Sequence, residues 1–111
     1  MNVAVCGSAV GGDHSIREKA SDMGRILSRQ GHILICGGTT GYPDEALKGA
    51  LLENGKAVCF SPAKDKEEHL TKYQFPFYQG ADYVFTGKGI PGRNQPLVEA
   101  ADSVIIIGGQ I

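Results

Sequence analysis

Short β-branched runs that end in glycine recur along this chain, and few folds can accommodate them. NVAVC (2–6) leads into Gly7, HILIC (32–36) into Gly37 and Gly38, and SVIII (103–107) into Gly108 and Gly109. Runs that are apolar at nearly every residue belong to strands buried on both faces. Such strands occur in parallel sheets covered by helices. Glycine directly after the strand supplies the backbone freedom of a tight turn at the sheet's carboxyl end. There are 16 glycines in 111 residues, about twice the usual share, and they cluster in these turns.

The segments between the runs have helical period. From about Ser15 to Gln30, Ile16, Ala20, Met23 and Leu27 share one face, Asp13 or Ser15 can cap the start, and Gly31 stops the helix. After the second strand, Pro43 suits a first helical position, and Ala46, Leu47, Ala50 and Leu51 form a buried face ended by Gly55. KAVCF (56–60) is a third strand, so the first half reads as a βαβαβ unit with right-handed crossovers. A weakly amphipathic stretch (64–74) gives one or two helical turns. Tyr73, Phe75, Phe77 and Tyr78 follow closely, half of all the aromatics. DYVFT (82–86) is a fourth strand, PGRNQPLVEAAD a helix starting near Arg93, and SVIII the fifth strand. The expected fold is α/β: a Rossmann-like, doubly wound parallel sheet of about five strands, order 3-2-1-4-5, with helices on both faces. In that order the ligand crevice lies between strands 1 and 4.

Composition narrows the function. Apolar residues make up 41% of the chain and the net charge is −1 with no basic block, which argues against a nucleic-acid surface or electrostatic docking to a membrane. No apolar run approaches the roughly 20 residues of a membrane span, and the N-terminus lacks a signal-peptide pattern. The expectation is a single cytoplasmic domain over 1–111 with a small-molecule ligand and no cofactor. Cys6, Cys36 and Cys59 are odd in number and show no CxxC spacing, so they read as reduced buried thiols. His14, His32 and His69 fall on three different elements, which predicts no metal site.

Three segments can carry chemistry. CGGTTGYPDEALKGA (36–50) is a glycine turn entering a helix, where backbone N–H groups and the helix dipole favour an anion. It is neither GxGxxG nor GxxxxGK[ST], and Asp44 and Glu45 in its first turn satisfy the dipole themselves. The plain alternative is a turn needed only for strand-to-helix geometry. GSAVGG (7–12) offers the Ser8 hydroxyl at the crevice, or simply a small loop residue. PGRNQPLVEAAD places Arg93 and Asn94 at a helix start. Arginine there can grip a phosphate or carboxylate bidentately, or be an ordinary surface arginine. The aromatic cluster serves base stacking, a contact surface, or plain loop packing.

Taken together, these motifs resemble the LOG family, Rossmann-like nucleotide-binding proteins once taken for lysine decarboxylases. Gly37, Gly38, Gly41, Gly49 and Ala50 match a pattern similar to GGGxxGLMGAxxxGA, with Pro43 and Asp44 replacing its Met and Gly. Arg93 falls at the family's functional arginine. Gly108 and Gly109 match the start of PGGxGTxxE, with Ile107 for its Pro. The resemblance implies a phosphoribohydrolase, which cleaves the N-glycosidic bond of a nucleoside 5′-monophosphate to free base and ribose 5-phosphate. It assigns Arg93 a catalytic role. With the loop readings above, nucleotide binding is expected of Gly7, Ser8, Gly37, Gly38, Thr39, Gly41, Asn94, Gly108 and Gly109. The family's G-T-x-x-E segment, with its catalytic Glu, would fall after Ile111, so the chain is expected to be a binding domain incomplete at that end. A non-catalytic nucleotide or molybdenum-cofactor carrier or sensor on the same fold is the alternative. The apolar terminal strand, left as a sheet edge, predicts a homodimer.

Overall fold

The computed structural model describes residues 1–8 and 12–108. Five strands form one parallel sheet: β1 (Asn2–Gly7), β2 (Ile33–Cys36), β3 (Ala57–Ser61), β4 (Asp82–Phe85) and β5 (Ser103–Ile107). Four helices connect them: α1 (His14–Arg29), α2 (Tyr42–Leu52), α3 (Lys66–Thr71) and α4 (Gly89–Ala100). The α/β Rossmann-like class holds. The strand order is β4-β3-β2-β1-β5. The 3-2-1 winding is as expected, but β4 adds outside β3 instead of lying between β1 and β5. The chain therefore reverses at β1/β5, and the crevice expected beside the first strand has β5 as its other wall.

Alternation along the strands sorts the core into two layers. Val3, Val5, Leu34, Cys36, Ala57 and Cys59 pack with Ala20 and Leu27 of α1 and Ala46, Leu47 and Ala50 of α2. On the opposite face Ala4, Ile35 and Phe60 pack against Leu97 of α4. The predicted apolar faces of α1 and α2 are the ones buried. Asp13 caps α1 by accepting the Ile16 N–H at 3.2 Å. α1 and α2 touch through glycine. A Cβ on Gly24 would run into the Ala46 carbonyl, and one on Gly49 into the Ser21 carbonyl. Among the described residues no helix is long and apolar enough to cross a membrane.

α4 corrects a second expectation. It begins at Gly89, four residues before Arg93, and Pro96 sits inside it and not in its first turn. Arg93 and Asn94 are thus on the second turn of the helix, not at its start. Proline is tolerated early in a helix because the first N–H groups lack intrahelical partners in any case, so Pro91 joins the first turn.

Candidate functional site

At the carboxyl ends of β1 and β2 a cleft is lined by Val5, Cys6, Gly7, Gly37, Thr39, Pro43, Arg93, Asn94 and Leu97. Its volume is about 60 Å³, enough for one compact group, whereas whole small-molecule sites run to about 300–1,000 Å³. A larger groove of about 330 Å³ lies at the opposite end of the sheet, beside Ser28, His32, Glu53 and Lys56. The carboxyl-terminal ends of α1 and α2 face it, which disfavours an anion there.

Arg93 dominates the cleft. Its Nη1 donates to the Gly37 carbonyl and, at 3.3 Å, to the Phe60 carbonyl, and its Nε donates to Asn94 Oδ1 at 2.8 Å. The guanidinium thus caps backbone acceptors at the ends of two neighbouring strands. Gly37 has to be glycine for this, because a Cβ would occupy the guanidinium's place. Among the described residues no aspartate or glutamate forms an ion pair with Arg93. Burial pulls its pKa below the ordinary value, with only the Cys36 and Cys6 thiols acting the other way. Burial also pushes the Cys6 thiol up, so Cys6 stays neutral and is no counter-ion. A half-buried cation that, among the described residues, has neither a carboxylate partner nor an acceptor on its Nη2 is a seat for an anion.

The structure brings Gly7, Gly37, Thr39, Arg93 and Asn94 to one cleft. Ser8 and Gly108 stand beside it, joined by a residue the sequence reading passed over. Tyr42 donates its N–H to the Ser8 carbonyl at 3.2 Å, and its hydroxyl accepts the Asp13 N–H at 3.1 Å. Gly108, at φ +81, leaves room for the Tyr42 ring. One buried tyrosine therefore ties the three glycine turns together; only its place directly after Gly41 hinted at this. Gly41 serves as the N-cap of α2, at φ 87. Gly38 turns away from the cleft, over Cys59, His69 and Tyr83. Gly109 lies outside the described residues.

Asp44 is committed elsewhere. It accepts the Tyr78 hydroxyl at 2.9 and 3.1 Å and lies 3.7 Å from Lys48. Burial is the main reason its carboxyl titrates above the ordinary value. A carboxyl whose folded pKa exceeds its unfolded one costs stability at neutral pH, and that cost vanishes as pH falls through the folded pKa. Asp44→Asn keeps an oxygen for Tyr78 and removes the desolvated charge. It should melt no lower than wild type at pH 7, with the difference closing toward pH 4. A variant that is less stable at pH 7 shows that Lys48 and the helix dipole outweigh burial.

The aromatic cluster is structural. His69 is fully buried; its Nε2 donates to the Pro76 carbonyl at 2.8 Å and its Nδ1 pairs with Ser61 Oγ at 2.7 Å. Ser61 Oγ also accepts the Ala63 N–H at 3.1 Å. The Nε2–H tautomer, with Ser61 donating to Nδ1, satisfies every partner. Phe75, Phe77, Tyr83 and Phe85 meet the imidazole edge-on. Burial excludes substrate from this serine–histidine pair. His14 pairs with Glu18 on α1, and His32 with the N-terminal amine.

The fold has solved relatives. A molybdenum cofactor binding protein from Rippkaea orientalis is 23% identical, with a TM-score of 0.82 over 99% of this chain and 63% of its own. A molybdenum cofactor carrier protein from Chlamydomonas reinhardtii is 22% identical, with a TM-score of 0.77 over 96% of this chain and 61% of its own. DNA processing protein A from Helicobacter pylori, described with a single-stranded DNA binding mode, is 21% identical, with a TM-score of 0.67 over 96% and 53%. The chain thus spans under two thirds of the length of these relatives. The last of them removes the fold as a ground for excluding nucleic acid. No curated protein matches the chain. The model of the SLOG (SMF/DprA-LOG) cluster4 family matches residues 1–111, and the chain belongs to that family.

Proposed function

We propose that the cleft at the carboxyl ends of β1 and β2 binds the phosphate of a nucleotide-class small molecule, a nucleoside 5′-monophosphate being the simplest ligand. One observation carries this reading: Arg93 is half-buried beside two glycine turns and has no carboxylate partner among the described residues. The phosphate meets the Arg93 Nη2 edge, and the nucleoside extends over the open side of the cleft. The LOG resemblance makes the reaction hydrolysis of the N-glycosidic bond. A second reading, a carrier of a phosphorylated cofactor, is favoured by the cleft lining, which contains no carboxylate among the described residues. In the hydrolase a carboxylate is needed to stabilise positive charge developing on the ribose. The two molybdenum-cofactor relatives point the same way.

The test is melting temperature with AMP, adenosine and inorganic phosphate, followed by assay for released adenine. A rise with AMP and not with adenosine supports phosphate recognition, since ligand bound only to the folded state stabilises it. Adenine release selects the hydrolase, and binding without release selects the carrier. Equal shifts with AMP and adenosine defeat the phosphate reading.

We also propose that the protein is a cytoplasmic homodimer. Val104 and Ile106 of the edge strand β5 are 44% and 51% exposed, on the face that α4 covers only in part. A second copy lying across this edge removes that apolar surface from water. Light scattering should give twice the monomer mass, and Ile106→Lys should return it to one.

A further inference from the structure

Cys36 and Cys59 are partners in the β2/β3 register, and their sulfurs lie 3.5 Å apart in the core. Adjacent strands run about 4.8 Å apart, within the Cα range a disulfide spans. The Tyr78 N–H donates to the Tyr83 hydroxyl at 3.0 Å, close to the pair. One of the two S–H groups donates to the other sulfur; this contact pulls the Cys36 thiol down, and the same contact and burial push Cys59 up. Cys36 is thus the sulfur of the pair that gives up its proton more readily. Directly above them Gly38, at φ +70, packs on the Cys59 Cβ. Gly37, whose carbonyl holds Arg93, is the next residue after Cys36.

We infer that Cys36 and Cys59 form a dithiol oxidised by a small hydroperoxide, and that the resulting disulfide resets the glycine turn on which Arg93 is seated. The Cys36 thiolate attacks the peroxide O–O bond, giving Cys36 sulfenic acid and hydroxide, which takes up a proton to become water. Cys59 then attacks that sulfur. The S–S bond forms, the S–O bond breaks, and the hydroxide leaves with the Cys59 proton as a second water. Two thiols are oxidised and one peroxide is reduced to two waters. Closing the sulfurs from 3.5 Å to about 2.05 Å draws the end of β2 toward β3. Gly37 directly follows Cys36, so the Gly37–Gly38 turn shifts with the strand end, and with it the carbonyl that holds Arg93. Both sulfurs are buried, which restricts the oxidant to a molecule the size of hydrogen peroxide.

The effect on ligand binding rests on the phosphate reading; the oxidation and the movement of Arg93 do not. The experiment treats the wild-type protein with hydrogen peroxide and locates the modified thiols by peptide mapping. It follows intact mass, thiols alkylated after denaturation, the Arg93 Nε–H resonance and AMP affinity. Expected are a loss of two hydrogens, protection of both thiols, reversal by dithiothreitol, a moved Arg93 resonance, and AMP affinity lower by about tenfold, one charged hydrogen bond's worth. Cys59→Ser should show none of these changes. Thiols still fully alkylated, oxygen added without a disulfide, or a disulfide that leaves the Arg93 resonance in place each overturn the inference. Failure of the reduced protein to bind AMP overturns the phosphate reading alone, because mass and resonance still report on the switch.

Discussion

Gly49→Ala should lower stability by about 2 kcal/mol, or roughly 8 °C in melting temperature, although alanine is the better helix former. In an open helix the same change stabilises by up to ~1 kcal/mol. Here the added Cβ meets the Ser21 carbonyl, and Gly24 has the same relation to Ala46 in the opposite sense. Both obstacles are backbone. No rotamer can swing aside, and relief requires moving α1 off α2 and the sheet. Ala20 and Ala50, also buried at this crossing, keep the two helices close. Gly24→Ala should cost a similar amount. The double variant should cost less than the sum, because helices already parted by one methyl make room for the other. Chemical denaturation of the four proteins checks this. A Gly49→Ala protein as stable as wild type would mean that the helices separate freely.

Arg93→Ala should abolish the AMP-dependent rise in melting temperature. The affinity should fall by about 2 kcal/mol or more, as expected for loss of a charged hydrogen-bond partner. The change also uncaps the Gly37 and Phe60 carbonyls, so the unliganded protein should lose about 1 kcal/mol. Arg93→Lys separates these roles. Lysine supplies the charge but not the planar fork that serves two carbonyls and a ligand together. It should recover part of the stability and little of the affinity. Titration of AMP into the three proteins by calorimetry reads this directly. Unchanged affinity in Arg93→Ala removes the residue from the site.

Where hydrophobic period and glycine punctuation agree, sequence and structure coincide. β1, β2, β3 and the buried faces of α1 and α2 are read from patterns within about 15 residues. β4 is different. Nothing local in DYVF specifies which strand it pairs with; its place outside β3 is decided by the α3 crossover and by packing of Tyr83 and Phe85 around His69. The start of α4 is obscured because Gly89, Pro91 and Gly92 carry turn chemistry in the sequence. At the site, Arg93 and the glycine turns were legible as chemistry. Tyr42 was not, since its role exists only once three turns converge. Nor was the Cys36–Cys59 pairing, because register between strands has no signature in spacing along the chain. Asp44 read as a threat to an anion and proved to be the anchor of Tyr78.

The sheet beside the cleft is completed by partners that are distant in the chain. β5 pairs with β1, and the Asn2 N–H donates to Asp102, 100 residues away. Contacts of that separation are slow to form, because the loop must close before they repay it. The β1–α1–β2–α2–β3 unit can assemble from nearer contacts, while α4 brings Arg93 over the sheet on the way to β5. The anion seat is therefore completed late, after the glycine turns exist but before they have their cation. A ligand held there makes its contacts after the rate-limiting barrier, so it should slow unfolding and leave the rate of folding nearly unchanged.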